Sequence, residues 1–470
     1  MIDFSGTYTD HYQLTMSQVY FQKGQTDKTA VFDYFFRKLP FEGGFAIFAG
    51  LSNLIRILEE LRFREEDIAF LRGQKLDPSF LEYLKDFKFS GEIFSVREGE
   101  VVFPGAPVVR IEAPIIEAQL IETLLLNLLN FQTLIATKAA RMNLQAGGKQ
   151  LIDFGLRRAQ GAGGYHASRA AIIGGFAATS NTRAGMDFGF PVSGTMAHSY
   201  IQSFDDELSA FRAFAETHPD NTILLVDTYD TLKSGIPNTI TVAKEMEKKG
   251  HRLKGIRLDS GDLAYLSRRS REMLDAEGLD YVKISVSNQL DEYLIKSLLD
   301  QDAPIDIFGV GTSLVTGKPD AALYGVYKMA YFDRKPRIKL SETIAKVTLP
   351  HKKQVFRLLD SQGRFAGGDV VSMVGEKDPG MMYHPYDPLK FISVSEAKKE
   401  PLLRQVFTKG KRSEEEQTLS DIAAFSKSRL ELLPQEYKRF FNPHIYKVGI
   451  SEDLKRERDR LIEEHKIKKL

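Results

Sequence analysis

Six short stretches each end an apolar run in residues suited to a charged, hydroxylated ligand. DFGLRR offers Arg157 and Arg158, SNTRAG offers Asn181 and Arg183, and SGTMAH offers Thr195 and His198. VDTYDT offers Asp227 and Asp230, and GIRLDSGD offers Arg257, Asp259, Ser260 and Asp262. FGVGTS offers Gly309, Gly311, Thr312 and Ser313. Arginine binds carboxylate or phosphate through two parallel hydrogen bonds. Backbone N–H groups at a Gly-x-Gly-Thr turn can bind phosphate. Together these residues point to a polyanionic ligand that carries hydroxyls. Each stretch also has a plainer reading. Gly-Val-Gly-Thr is a common tight turn into a helix with a threonine cap, and Asp-Ser-Gly-Asp is a common capping pattern. His198 is one of nine histidines. Core residue, metal ligand, base and nucleophile are all open to it, and a structural histidine is the default for the residue taken alone. No second histidine stands nearby at a helical metal-ligand spacing.

Strands must deliver these residues. The runs QLIDFG, GFAATS, PVSGTM, TILLVDT, KGIRLD, YVKISVS, IDIFGVG and YGVYKMA read as strands. Amphipathic segments such as TITVAKEMEKKG and SRRSREMLDAEG fall between several of them. Strand then helix, repeated at crossover length, means a parallel sheet. About eight such units favour a (β/α) barrel over an open doubly wound sheet, with the working residues at the C-terminal strand ends. FGVGTS lies on the seventh unit, where barrel phosphate sites recur.

The barrel is expected over residues 141–335. Residues 1–140 read as a sheet-rich α+β domain: a strand in KTAVFDYFFRKLP, a helix in SNLIRILEELRF, a small antiparallel sheet over Gly91 to Pro114, and a buried helix from about Ile115 to Ala146. Residues 336–470 are expected to complete that first domain in part. Their strands are read in RIKLSETIAKVTLP and QVFRLLDSQGRFAGGDVVSM, and a charged, solvated helix ends the chain.

Composition narrows the chemistry. The chain has 470 residues, Lys+Arg 64 against Asp+Glu 63, and no cysteine. A thiolate nucleophile, a disulfide framework and zinc–thiolate or iron–sulfur sites are excluded. The balanced charge gives no sign of a nucleic-acid or membrane partner. The most apolar segment, Thr123 to Thr137, is interrupted by Asn127, Asn130 and Gln132, and reads as a helix buried in protein. The N-terminus lacks the pattern of a signal peptide. A cytoplasmic location is expected.

TDHYQLTM, FDYFFRKLP, ETLLLNLLNFQTLIATKAAR, DFGLRRAQG, SNTRAG, GTMAHS, GIRLDSGD and FGVGTSLVT…YGVYKMA occur in this order from Thr9 to about Ala330. Together they resemble the nicotinate phosphoribosyltransferase family. The resemblance implies a type II phosphoribosyltransferase fold, an irregular (β/α) barrel plus a sheet-rich domain, in a homodimer with active sites near the subunit interface. It implies transfer of phosphoribosyl from 5-phosphoribosyl 1-diphosphate to nicotinate, coupled to ATP hydrolysis and needing Mg²⁺. By the same resemblance Tyr12 and Thr195 hold nicotinate, with Arg257 matching its carboxylate and Ser260 in the same substrate site. Arg157 faces the diphosphate or the pyridine ring, Asp259 the ribose or its metal, and Gly311 and Thr312 the 5-phosphate. His198 matches the histidine phosphorylated by ATP; the metal ligands stay unassigned. No Walker-type phosphate loop occurs, so ATP is expected to share the phosphoribosyl diphosphate site. Gly161 to Ser168 is expected to form a loop. Nicotinamide phosphoribosyltransferase shares the fold, but the arginines of GLRRAQG and GIRLDSGD favour an acid over an amide. Quinolinate phosphoribosyltransferase is a shorter chain without ATP or phosphohistidine. A sugar-phosphate aldolase or isomerase calls for a strand-end lysine or a paired acid and base, and no such lysine stands among these ends. A non-catalytic binding protein has no need of His198 together with Arg257.

Overall fold

The computed structural model describes residues 4–343 and 346–467. The chain divides into two compact units. One joins the residues up to Thr137 with those from Ala322 onward; the other is Lys138–Ala321.

The first unit opens with α1 (His11–Gln22), β1 (Thr29–Phe36), α2 (Leu51–Glu60), β2 (Glu92–Ser95) and β3 (Val109–Pro114). Helix α3 (Ile115–Leu120) follows, and then the long α4 (Glu122–Gln145), whose residues from Lys138 onward are counted with the second unit. Ala30, Val31, Phe32, Tyr34 and Phe36 are all buried, so β1 is covered on both faces. It pairs antiparallel with β3 on one side, with Asp33 opposite Arg110. Among the described residues no helix is long and apolar enough to cross a membrane.

The second unit is built on a curled, wholly parallel sheet. Its elements are β4 (Gln150–Asp153), α5 (Ala162–Ile173), β5 (Ala178–Thr179), α6 (Thr182–Phe188), α7 (His198–Gln202), β6 (Ile223–Leu225), α8 (Ile236–Lys248), β7 (Gly255–Leu258), α9 (Leu263–Ala276), β8 (Lys283–Ser287), α10 (Glu292–Asp300), β9 (Ile307–Val310) and the short α11 (Thr312–Val315). The strand order is β5-β4-β9-β8-β7-β6. The first strand lies beside the last, with Asp153 opposite Val310. All C-terminal ends therefore gather on one edge. Six of the eight expected runs are strands of this sheet. PVSGTM contributes a single parallel bridge, Thr179 to Val192. Pro191 has no N–H to give a ladder, and Gly194 has no side chain to pack. The expected loop at Gly161 to Ser168 is instead the start of α5. Gly164 lets that helix approach the turn after β4, since a Cβ there would stand 2.9 Å from Leu156.

The eighth run, YGVYKMA, is strand β10 (Gly325–Phe332) and belongs to the other unit. It pairs antiparallel with β1. Tyr327 stacks on Phe32 at 4.6 Å and donates its hydroxyl to Ala118 O at 2.9 Å. Aromatic packing across an antiparallel pair decides its sheet. Arg337–Pro350 forms no strand among its described residues, and Thr343 is followed by two residues outside the description. Strands β11 (Lys353–Leu359) and β12 (Phe365–Met373) form the expected hairpin. Strand β13 (Arg404–Thr408) adds to β2, α12 is Leu419–Leu432, β14 (Lys447–Ile450) lies parallel to β12, and α13 is Glu452–Ile467. Helix α13 is charged but not wholly solvated: Leu454 and Leu461 are buried.

A closed charge network ties this unit together. Arg357 on β11 is fully buried and bonds both oxygens of Asp369 at 3.0 Å, Val101 O at 2.7 Å and Glu100 at 2.5 Å. Arg429 on α12 reaches Glu100 at 2.8 Å and Glu400 at 2.7 Å. Removing one member leaves buried charge without its partner. Arg357→Met is therefore expected to cost about 3–5 kcal/mol, read as a shift in denaturant unfolding at constant slope. Loss below 1 kcal/mol would mean that the network relaxes or hydrates.

Candidate active site

The edge formed by the parallel strand ends holds a dense polar cluster. At its centre Arg257, near the end of β7, is only 12% exposed in its side chain. Its Nε donates to Ser287 Oγ at 2.9 Å and its Nη2 to Asp259 Oδ1 at 2.9 Å. Nη1 lies 3.5 Å from both Thr195 Oγ1 and Met196 O. The guanidinium sits over the Phe154 ring, 5.2 Å from its centroid. Ser287 Oγ also donates to Asp259 Oδ1, so arginine, serine and aspartate close a triangle. Adjacent strand ends make this possible: Ser285 faces Arg257 in register, and Ser287 lies one pleat further on the same face.

Asp227, just past β6, braces Asp259 from the other side. Its Oδ2 accepts the Asp259 N–H at 2.8 Å and the Ser260 hydroxyl at 2.6 Å. Its Oδ1 is buried and has no hydrogen-bond partner. His198, the first residue of α7, turns its ring to this pair. Nδ1 is 3.0 Å from Thr228 Oγ1, while Nε2 lies 3.8 Å from Asp259 Oδ2 and 4.0 Å from Asp227 Oδ1. Its side chain is 40% exposed, so His198 is no core residue. Among the described residues no three His, Asp or Glu side chains form a ready metal cage. Two converging carboxylates with one orphaned oxygen nevertheless fit a hard cation that takes its other ligands from water and phosphate.

The turn after β9 passes close to the one after β4. A Cβ on Gly309 would stand 2.4 Å from the Phe154 ring, and one on Gly311 3.3 Å from Phe154 O. The absence of side chains brings Thr312, exposed at the start of α11, to the edge.

Thr195, His198, Asp227, Arg257, Asp259 and Ser260 are thus brought together by hydrogen bonds or close approach. Other candidates are not part of the cluster. Arg157 and Arg158 are exposed on a single 3-10 turn. Asn181 caps α6 by accepting the Ala184 N–H at 3.2 Å, and Arg183 pairs with Asp187 at 2.8 Å. Asp230 accepts the Lys233 N–H at 2.9 Å, and Asp262 the Tyr265 N–H at 3.0 Å; both are caps. Ser313 is buried. Tyr12 belongs to the other unit, on α1, and is 50% exposed. Partial burial, then Glu122 and Asp10, push its phenol up, so it stays a neutral hydroxyl at pH 7. Phe154, Thr228 and Ser287 were not singled out from the sequence. A hydroxyl at the end of YVKISVS was the one available sign for Ser287.

Three family models cover most of the chain: the nicotinate phosphoribosyltransferase N-terminal domain over residues 7–130, the nicotinate phosphoribosyltransferase family over 149–359, and the C-terminal domain over 352–458. The nicotinate phosphoribosyltransferase of Bacillus subtilis is 44% identical over 96% of this chain and 94% of its own. That of Caenorhabditis elegans is 38% identical over 95% and 91%. The crystal structure of human nicotinic acid phosphoribosyltransferase superposes with a TM-score of 0.87 at 32% identity, covering 96% of this chain and 99% of that one. With the sequence motifs, the strand-end cluster and these matches in agreement, the chain belongs to the nicotinate phosphoribosyltransferase family.

Proposed function

We propose that the chain transfers phosphoribosyl from 5-phosphoribosyl 1-diphosphate to the ring nitrogen of nicotinate, giving nicotinate mononucleotide and diphosphate, a step of NAD biosynthesis. The observation that carries this reading is the state of Arg257. Its Nε and Nη2 are held at 2.9 Å, while Nη1 makes only long 3.5 Å contacts beside Thr195. That edge is preorganised to take a carboxylate with little reorganisation. Thr195 adds a hydroxyl at the same place.

In the reaction the ribose C1–O bond to diphosphate breaks as the C1–N bond to nicotinate forms. Positive charge develops at C1 and negative charge on the leaving group. Asp259 is oriented to offset the first. Mg²⁺ would be held by Asp227 and Asp259 and, when bound, supplies charge neutralisation to the diphosphate. Gly311 and Thr312 take the 5-phosphate through backbone N–H groups and a hydroxyl, and Arg157 extends toward the diphosphate from its exposed turn. Coupling to ATP runs through His198: the γ-phosphoryl moves to a ring nitrogen, ADP leaves, and hydrolysis later returns inorganic phosphate. Thr228 holds the ring through Nδ1, and the Asp227–Asp259 pair faces Nε2.

The same reading makes the parallel sheet a closed, irregular (β/α) barrel of type II phosphoribosyltransferase kind. It also makes the active form a homodimer in the cytoplasm, with Tyr12 contributing to nicotinate binding. Support for a second copy comes from the sheet unit. Tyr386, Leu389, Phe391 and Ile445 are exposed large apolar residues that line one cavity of about 1020 Å³. Exposed large apolar side chains gathered at one cavity are a mark of an interaction site. The near-neutral charge of +1 speaks against nucleic acid or membrane.

Arg257→Ala is expected to lower kcat/KM for nicotinate by about 2–4 kcal/mol with a much smaller change in Tm. Steady-state kinetics with nicotinate and nicotinamide, each with and without ATP, test both the role and the substrate; near-normal use of nicotinate removes Arg257 from the pocket. Incubation with γ-labelled ATP is expected to give protein-bound label that acid removes and alkali does not. His198→Asn abolishes that label, keeps a slow transfer and loses its stimulation by ATP. Label retained in the variant places the phosphoryl group elsewhere, and complete loss of transfer without ATP makes His198 part of the sugar chemistry itself.

A further inference from the structure

Asp153 ends strand β4 and is fully buried. Its carboxylate is surrounded by neutral donors from three separate segments. Oδ1 accepts the Gly155 N–H at 2.7 Å, from the turn after β4. Oδ2 accepts the hydroxyls of Ser168 on α5 and of Thr179 on β5, both at 2.7 Å. The second layer is bonded as well. Asn181 donates its backbone N–H to Thr179 Oγ1 at 3.0 Å and its side-chain amide to Ser168 Oγ at 3.2 Å. One carboxylate therefore joins two strand-end turns and a helix.

A buried carboxylate facing only neutral donors is costly compared with an apolar residue. Burial pushes this carboxyl up, and the hydroxyls of Thr179 and Ser168 and the amide of Gly155 pull it back. What it secures is geometry at the next residue. Phe154 follows directly and carries Arg257 over its ring. The ring fits only because Gly309 lacks a side chain, and Gly155 has no room either, since a Cβ there would stand 2.0 Å from Val315. Phe154 donates its own N–H to Val310 O at 2.7 Å, and the Asp153 carboxylate adds the side-chain bonds that tie the turn to α5 and β5.

We propose that Asp153, with Ser168 and Thr179, is a positioning residue for the transfer reaction: it locks the Phe154–Arg158 turn and so fixes the ring against which Arg257 meets nicotinate. The inference rests on Arg257 being the partner of the nicotinate carboxylate. Asp153 touches no substrate and acts only through Phe154.

The test compares Thr179→Val, which keeps the shape and removes the hydroxyl, with Thr179→Ser, which keeps the hydroxyl and removes a methyl. Asp153→Asn and Arg257→Ala are run beside them. KM for nicotinate, KM for 5-phosphoribosyl 1-diphosphate, kcat and Tm are measured for each, well below the lowest Tm. Thr179→Val and Asp153→Asn are expected to lower kcat/KM for nicotinate about 10- to 100-fold, as displacement of a binding group does. Their KM for 5-phosphoribosyl 1-diphosphate stays within about twofold, and Thr179→Ser remains close to the unmodified protein. If Asp153→Asn fails to fold, the threonine pair still decides. Equal effects of valine and serine, or both KM values moving together in step with Tm, make the network merely structural and overturn the proposal. Nicotinate use surviving in Arg257→Ala overturns the underlying reading instead, whereas its loss there without loss in Thr179→Val overturns only this inference.

Discussion

Arg257 is the group on which the strand-end cluster depends. A guanidinium has five donors in a rigid plane and cannot shed its charge. To hold it at 12% exposure, the fold must surround it with acceptors and a polarisable face. It does so from several strands at once: Asp259 from its own strand end, Ser287 from the neighbouring strand, and the Phe154 ring from beyond. A parallel sheet with all its C-terminal ends on one edge brings such residues together from several strands. The bonds are unevenly distributed. Two nitrogen atoms are tightly held, and the third has only long contacts. An arginine satisfied on every side would be a structural element; one with a loosely held edge keeps donors for a further acceptor.

The contrast with Arg357 makes the point. That residue also sits among carboxylates, but Asp369, Glu100 and Val101 O use its whole fork, and Phe365 covers its face at 4.2 Å. All three of its nitrogens make short bonds inside the sheet unit, as a structural arginine does. Asp227 shows the same distinction among acids. Oδ2 takes two hydrogen bonds and Oδ1 none, although both are buried. A buried oxygen without a hydrogen bond is costly, and that cost is tolerated here beside His198 and Asp259.

Several of these residues were legible from residue type and position. Parallel strands buried on both faces read as short apolar runs, and the polar residue that ends each run is a candidate by position alone. Thr195, His198, Arg257, Asp259 and Ser260 stand out in that way, and all five meet in one cluster. The same rule also selected Asn181, Asp230 and Asp262, which turn back on N–H groups two or three residues ahead in their own chain. Type and position do not distinguish a carboxylate that caps its own turn from one that reaches the next strand. Ser287, Thr228 and Phe154 escaped notice for the converse reason. Each matters through a partner far away in sequence: Ser287 ends an apolar run, but that position does not tell which arginine, thirty residues earlier, it will lie beside.

The sequence by itself determined the alternation of strand and helix from β4 to β9, the absence of thiol chemistry, the arginine-rich strand ends and the order of motifs that marks the family. These are local properties, set by hydrophobic period, by breakers such as proline and glycine, and by residue type. The tertiary structure alone decided which sheet each strand joins and which atoms meet. YGVYKMA reads like one more parallel strand, yet its Tyr327 stacks on Phe32 of β1, and that aromatic pairing draws it into the antiparallel sheet. PVSGTM reads like a strand as well, yet its proline and glycine leave it one bridge. Strand pairing is decided by which distant surfaces bury each other and satisfy each other's backbone groups, and that free energy belongs to the pair of segments rather than to either segment alone.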